Sequence, residues 1–62
     1  MQTLINSMGC DNRTAYVYAL TLGGYSVQYV VKGAGVIEEH EREDQQDAEE
    51  LAFQFVRGAA LN

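Results

Sequence analysis

The sequence predicts an α+β domain: a small antiparallel three-stranded sheet, a β-hairpin plus a short third strand, packed against one C-terminal amphipathic helix (β-β-β-α). Three observations predict it. Two runs rich in β-branched and aromatic residues, Ala15–Leu22 and Tyr25–Lys32, flank a Gly23-Gly24 pair. Near the other end, Ala48, Leu51, Ala52, Phe55, Val56 and Ala59 recur at the spacing of one helix face. And 62 residues make one domain at most, so residues 1–62 form a single unit in which helix and sheet cover each other.

Residues 1–13 read as an N-terminal arm with a loop. Leu4, Ile5 and Met8 have packing potential, but Asn6, Ser7, Gly9, Asp11 and Asn12 interrupt any regular element. Residues 14–32 read as the hairpin, with Gly23-Gly24 as a two-residue turn that tolerates positive φ. That turn sets Leu22 against Tyr25, Leu20 against Val27, Tyr18 against Tyr29 and Tyr16 against Val31, all on one apolar face. Ala15, Val17, Ala19, Thr21, Ser26, Gln28, Val30 and Lys32 then fall on the other face, toward solvent.

Gly33-Ala34-Gly35 is a second turn. Residues 36–42 follow as a short strand whose charges blunt an exposed sheet edge, the alternative being an early start to the following helix. The helix is expected over residues 45–58. Asp44 stands at its N-cap, Asp47, Glu49 and Glu50 place negative charge in its first turns, and Gly58 begins to end it beyond Arg57.

Composition excludes several function classes. With a net charge of −5 and only Arg13, Lys32, Arg42 and Arg57 as cations, direct nucleic-acid binding is not expected. Cys10 is the sole cysteine, so no internal disulfide forms, and with His40 it does not supply a four-ligand zinc site. The acidic run lacks the glycine of an EF-hand loop, and His40-Glu41 lacks the second histidine of a zinc-protease motif. No metal and no cofactor are expected. Paired carboxylates need a desolvated pocket to split their acid and base roles, and a domain this size has little room for one, so the chain is not expected to be an enzyme. No signal peptide or spanning segment is visible, which points to a cytoplasmic protein without a membrane partner.

The charge distribution is the strongest functional signal. Eight of the nine acids fall between Glu38 and Glu50. One reading is a solvated, solubilising edge; the other is an anionic surface aimed at a basic partner. On the second reading Glu38, Glu39, Glu41, Glu43, Asp44, Asp47 and Glu50 are the contact residues. Four tyrosines exceed what one short helix covers, so Tyr25 and Tyr29 join them as exposed anchors, with Phe53 off the helix stripe as a further candidate.

The size, the negative charge and the run Asp47-Ala-Glu-Glu-Leu-Ala-Phe53 resemble, in type, the small acidic proteins that phages use against host machinery, anti-CRISPR proteins and a small RNA polymerase inhibitor among them. Gly23-Gly24-Tyr25-Ser26-Val27 and Asp47-Ala48-Glu49-Glu50-Leu51-Ala52 are also similar to the N-terminal part of HicB-type antitoxins over residues 15–58. The proline-containing segment and the DNA-binding tail of those proteins have no counterpart here. The first resemblance implies a phage-encoded inhibitor acting in the host cytoplasm, whose acidic surface occludes a basic site on a CRISPR surveillance complex or RNA polymerase. The second implies neutralisation of a basic toxin ribonuclease. An antitoxin-like or structural dimerisation module, a homodimer, is the alternative.

Overall fold

A computed structural model describes residues 2–61 of the chain, with side chains through residue 58. The order is β1 (Gln2–Cys10), β2 (Arg13–Leu20), β3 (Tyr25–Val31), β4 (Gly35–Arg42) and α1 (Gln45–Leu61). The strands form an antiparallel meander, β1-β2-β3-β4, and the helix packs on one face. The α+β class and the final helix are as expected, but the sheet has four strands.

The extra strand is the supposed arm. Cys10 pairs with Arg13 across Asp11-Asn12, a two-residue turn with Asp11 at φ 55°, a left-handed conformation that aspartate tolerates better than most residues. The register shifts between Leu4 and Asn6, leaving Ile5 as a bulge. That extra residue breaks the period of two, so Leu4, Ile5 and Met8 do not alternate like a strand. Past the bulge Asn6, Met8 and Cys10 lie on the helix side, opposite Val17, Ala15 and Arg13.

The hairpin forms at 13–31, in a different register. Ala19 pairs with Tyr25, Val17 with Val27 and Ala15 with Tyr29. The loop holds three residues, Thr21-Leu22-Gly23: the Leu20 N–H donates to the Gly24 carbonyl at 3.0 Å and the Gly23 N–H to the Leu20 carbonyl at 3.1 Å. Gly23, at φ 105°, supplies the positive-φ position that such loops need. This register differs from the expected one by an odd number of residues, so β2 turns over while β3 keeps its face. Ala15 and Val17, expected in solvent, are fully buried. Tyr16, Tyr18 and Leu20, expected in the core, lie on the face away from the helix, and Leu22 is wholly exposed at the loop tip.

Size explains the choice. The helix brings Ala48 and Ala52 against the sheet, both fully buried, so its axis lies close to the strands. Alanine and valine fit beneath it on β2, whereas a pair of tyrosines there would hold it off. Val27, Tyr29 and Val56 complete the buried set, with Met8, Cys10, Tyr25, Leu51 and Phe55 packed around it.

The helix stripe is as expected through Val56; Ala59 lies outside the described side chains. The Asp44 carbonyl accepts the Ala48 N–H at 3.1 Å, placing Asp44 at the N-cap position. Gly58 does not end the helix, which runs to Leu61. Its lack of a side chain makes room for Arg13 instead: a Cβ there would lie 3.0 Å from Nη1 of Arg13, which donates to the Phe55 carbonyl at 3.1 Å.

Candidate functional site

β4 is an edge strand, and its alternation divides the acids between two faces. Glu38, His40 and Arg42 lie opposite Tyr29, Val27 and Tyr25, on the helix side. Glu39 and Glu41 lie opposite Gln28 and Ser26, on the open side. Glu43 and Asp44 are exposed in the loop before α1, and Asp47 and Glu50 are exposed on its first turns. The expected contact acids therefore wrap around one edge of the domain and do not share one plane.

Few of these carboxylates are neutralised. Among the described residues one of them meets a basic side chain within 4 Å: Glu38 Oε1 lies 2.9 Å from His40 Nε2, a hydrogen bond that is an ion pair only when His40 is protonated. His40 is half-buried, with its ring 5.0 Å from that of Tyr29. Arg42 turns back to its own chain, donating to the Glu41 carbonyl at 2.7 Å, and lines a shallow recess with Asp47 and Glu50. Glu49 is tied to the fold by Gln45 at 3.1 Å and Asn6 at 3.4 Å. Glu39 is also held: its Oε2 accepts from the Ser26 hydroxyl at 2.9 Å and from Gln28 Nε2 at 3.2 Å. That carboxylate leans inward over β3.

The tyrosines are redistributed. Tyr29 is 9% exposed, and its hydroxyl donates to the Leu51 carbonyl at 3.4 Å, so it is a core residue and not a contact anchor. Burial pushes its phenol above the usual tyrosine range, the Glu38 carboxylate adds to the rise, and Arg42 opposes it. Tyr25 is half-buried against the core. The tyrosines on the open face are Tyr16 and Tyr18, with ring centroids 6.5 Å apart. Phe53 is 53% exposed, as expected for a residue off the stripe, and the Arg57 guanidinium stands 5.9 Å above its ring.

The open face is thus graded across the sheet. One row runs Leu4, Tyr18, Ser26, Glu41 and the next Ser7, Tyr16, Gln28, Glu39. In these two rows the aromatic groups stand on β2, polar groups on β3 and carboxylates on β4, while a third row, Gly9, Thr14, Val30 and Val36, carries no charge. A shallow recess at one end touches Leu20, Gly23 and Glu41. Sequence reasoning missed this face because it assigned Tyr16 and Tyr18 to the core. The available signal was the small-large alternation Ala15-Tyr16-Val17-Tyr18-Ala19-Leu20, which marks the small side as the one a close helix covers.

Among the described residues no three His, Cys, Asp or Glu side chains gather as a metal site would, and no helix is long and apolar enough to cross a membrane. Cys10 is half-buried, its Sγ 3.9 Å from the Asp11 carboxylate. What the arrangement offers chemically is a fixed display of carboxylates beside aromatic rings. Comparison with protein-family models, with curated proteins and with solved structures finds no match to the chain.

Proposed function

We propose that the chain is a non-enzymatic binding protein whose acidic edge occludes a basic, nucleic-acid-binding surface on a larger complex. One observation carries the reading: the carboxylates from β4 into the first turns of α1 are exposed, the half-buried Glu49 excepted, and among the described residues the one basic side chain within 4 Å of any of them is His40, at Glu38. Leaving so many like charges together costs stability in a small domain, a cost that a cationic partner relieves. Complementary charge also speeds encounter. A phage-encoded inhibitor of a CRISPR surveillance complex or of RNA polymerase fits this chemistry, because both hold nucleic acid with lysines and arginines.

The test is a pull-down from bacterial lysate at low and high salt, followed by competition with DNA for the captured complex. Triple reversal at Glu41, Glu43 and Asp47 to Lys, with folding checked by circular dichroism, is the control, since these side chains are exposed. The reading expects capture at low salt, loss at high salt, displacement of DNA, and failure of a folded triple variant to bind. Unchanged binding by that variant sinks it.

A second reading, a structural dimerisation module, has its own observation. β1 is an edge strand without a charged residue from Gln2 to Cys10, unlike β4. The bulge at Ile5 and the Asn6 Oδ1 that accepts the Ser7 N–H at 2.9 Å already interrupt that edge, so this reading ranks second. Light scattering discriminates: a dimer whose mass ignores salt favours it.

A further inference from the structure

We infer that the open face of the sheet is the docking surface, and that its occupant is a basic protein presenting arginine side chains to Tyr16 and Tyr18. The inference rests on the acidic-surface reading above and moves its centre from the outer edge of β4 to the sheet face.

On β2 the face is aromatic where a solvated face is ordinarily polar. Antiparallel sheets with one bare side usually alternate polar residues outward. Here Leu4, 50% exposed, stands beside Tyr18, and Tyr16 and Tyr18 are themselves partly exposed, on a domain with little surface to spare. An apolar face alone names no occupant. Charge does.

Glu39 and Glu41 border the tyrosines across β3, two strand spacings or about 10 Å away. The Glu39 carboxylate is held over that gap by Ser26, itself 1% exposed, and by Gln28. A neutral apolar partner laid on this face would desolvate both carboxylates without pairing them, which is costly. A second copy fares little better, because among the described residues no Lys or Arg stands in the rows of Glu39 and Glu41, and the one cation at the margin of this face is Lys32, whose N–H donates to the Asn12 carbonyl at 2.8 Å beyond the far end of β3. Arg13 reaches the Phe55 carbonyl on the helix side, Arg42 lies on the helix side of β4, Arg57 stands over Phe53, and Lys32 sits in the β3–β4 turn.

The occupant must therefore bring its own cations. Aromatic rings on one side and carboxylates on the other favour guanidinium over ammonium. A guanidinium stacks flat on a tyrosine ring while its N–H fork meets a carboxylate, and it is more weakly hydrated than a lysine ammonium.

The experiment follows backbone amide shifts of the labelled full chain on titration with an oligoarginine peptide and with an oligolysine peptide of equal length. The inference expects the largest shifts at Tyr16, Tyr18, Gln28 and Glu39, and affinity about three- to tenfold higher for oligoarginine. Tyr16→Leu with Tyr18→Leu keeps the face apolar and should erase that preference while weak electrostatic binding persists. If this pair fails to fold, Tyr16→Thr with Tyr18→Val, both strand-favouring residues without a ring, serves the same purpose.

Shifts confined to residues 43–50 with both peptides would overturn the inference and leave the acidic-surface reading standing. No binding of either peptide would overturn both. Open-face shifts that depend on protein concentration without peptide would give the face to a second copy and end the inference.

Discussion

The ring of Tyr29 lies flat on that of Phe55, centroids 4.1 Å apart and planes 4° from parallel. The stack continues at both ends. His40 packs on Tyr29 with centroids 5.0 Å apart, and the Arg13 guanidinium lies 5.1 Å from the Phe55 ring centre. A column of four side chains from β4, β3, α1 and β2 thus fastens the helix to the sheet, in a core whose other buried residues are alanine and valine.

Phe55→Ala should therefore cost about 3 kcal/mol. A domain of this size has a total stability of only about 3–5 kcal/mol, so the variant is expected to keep about 0–2 kcal/mol and to be at most about half unfolded at room temperature. Urea unfolding followed by circular dichroism measures it. A loss under about 1 kcal/mol would mean that the stack does not hold the layers together.

Alkaline stability should report on Tyr29. Its phenol titrates above the usual tyrosine value when folded, chiefly through burial, and near pH 10 when unfolded. Between those values the unfolded chain has released a proton that the native state retains, so stability falls as pH rises. The contribution is complete below about pH 10 and lost through the folded value. Tyr29→Phe removes this term, at a cost below about 1 kcal/mol at neutral pH for its long hydrogen bond. Unfolding midpoints of the two proteins should converge as the pH is raised past 10; parallel curves would contradict the burial argument.

Gly58 and Arg13 should be coupled. Alanine in a helix interior is favoured over glycine by about 1 kcal/mol, but a Cβ at Gly58 crowds the guanidinium that bonds the Phe55 carbonyl. Gly58→Ala is expected to stabilise the Arg13→Ala background by roughly that full amount. In the unaltered chain the gain should largely vanish. A double-mutant cycle in urea reads the difference, and additive effects would show that Arg13 moves aside freely.

The β2–β3 loop gives a contrast between neighbours. Gly23→Ala forces an L-residue to φ 105° and should cost about 1 kcal/mol. Leu22→Ser, at a fully exposed tip, should change stability by no more than about 0.5 kcal/mol. Had the two-residue turn been correct, Leu22 would be a core residue and the order of these effects reversed. Thermal melts of the two variants are sufficient.

Besides the two central strands, two elements were legible in the residues themselves. The helix was, because Ala48, Leu51, Ala52, Phe55 and Val56 make a stripe that only a 3.6-residue period explains. The third strand was as well, since the charges at 38–42 suit an edge and no core. The acids of β4 and α1 were found as a run, though not as a surface that bends around an edge. β1 escaped notice because its bulge scrambles the alternation and its strand is half-exposed, so its residues carry little burial signal.

By itself the sequence determined the class, the helix, the two central strands and the concentration of negative charge, all of which depend on local period and composition. Only the tertiary structure decided which side of β2 faces the helix. Both sides of that strand are apolar, so neither register is excluded locally, and the choice falls to the close approach of Ala48 and Ala52. That approach admits Ala15 and Val17 and sends Tyr16 and Tyr18 outward, beside Glu39 and Glu41.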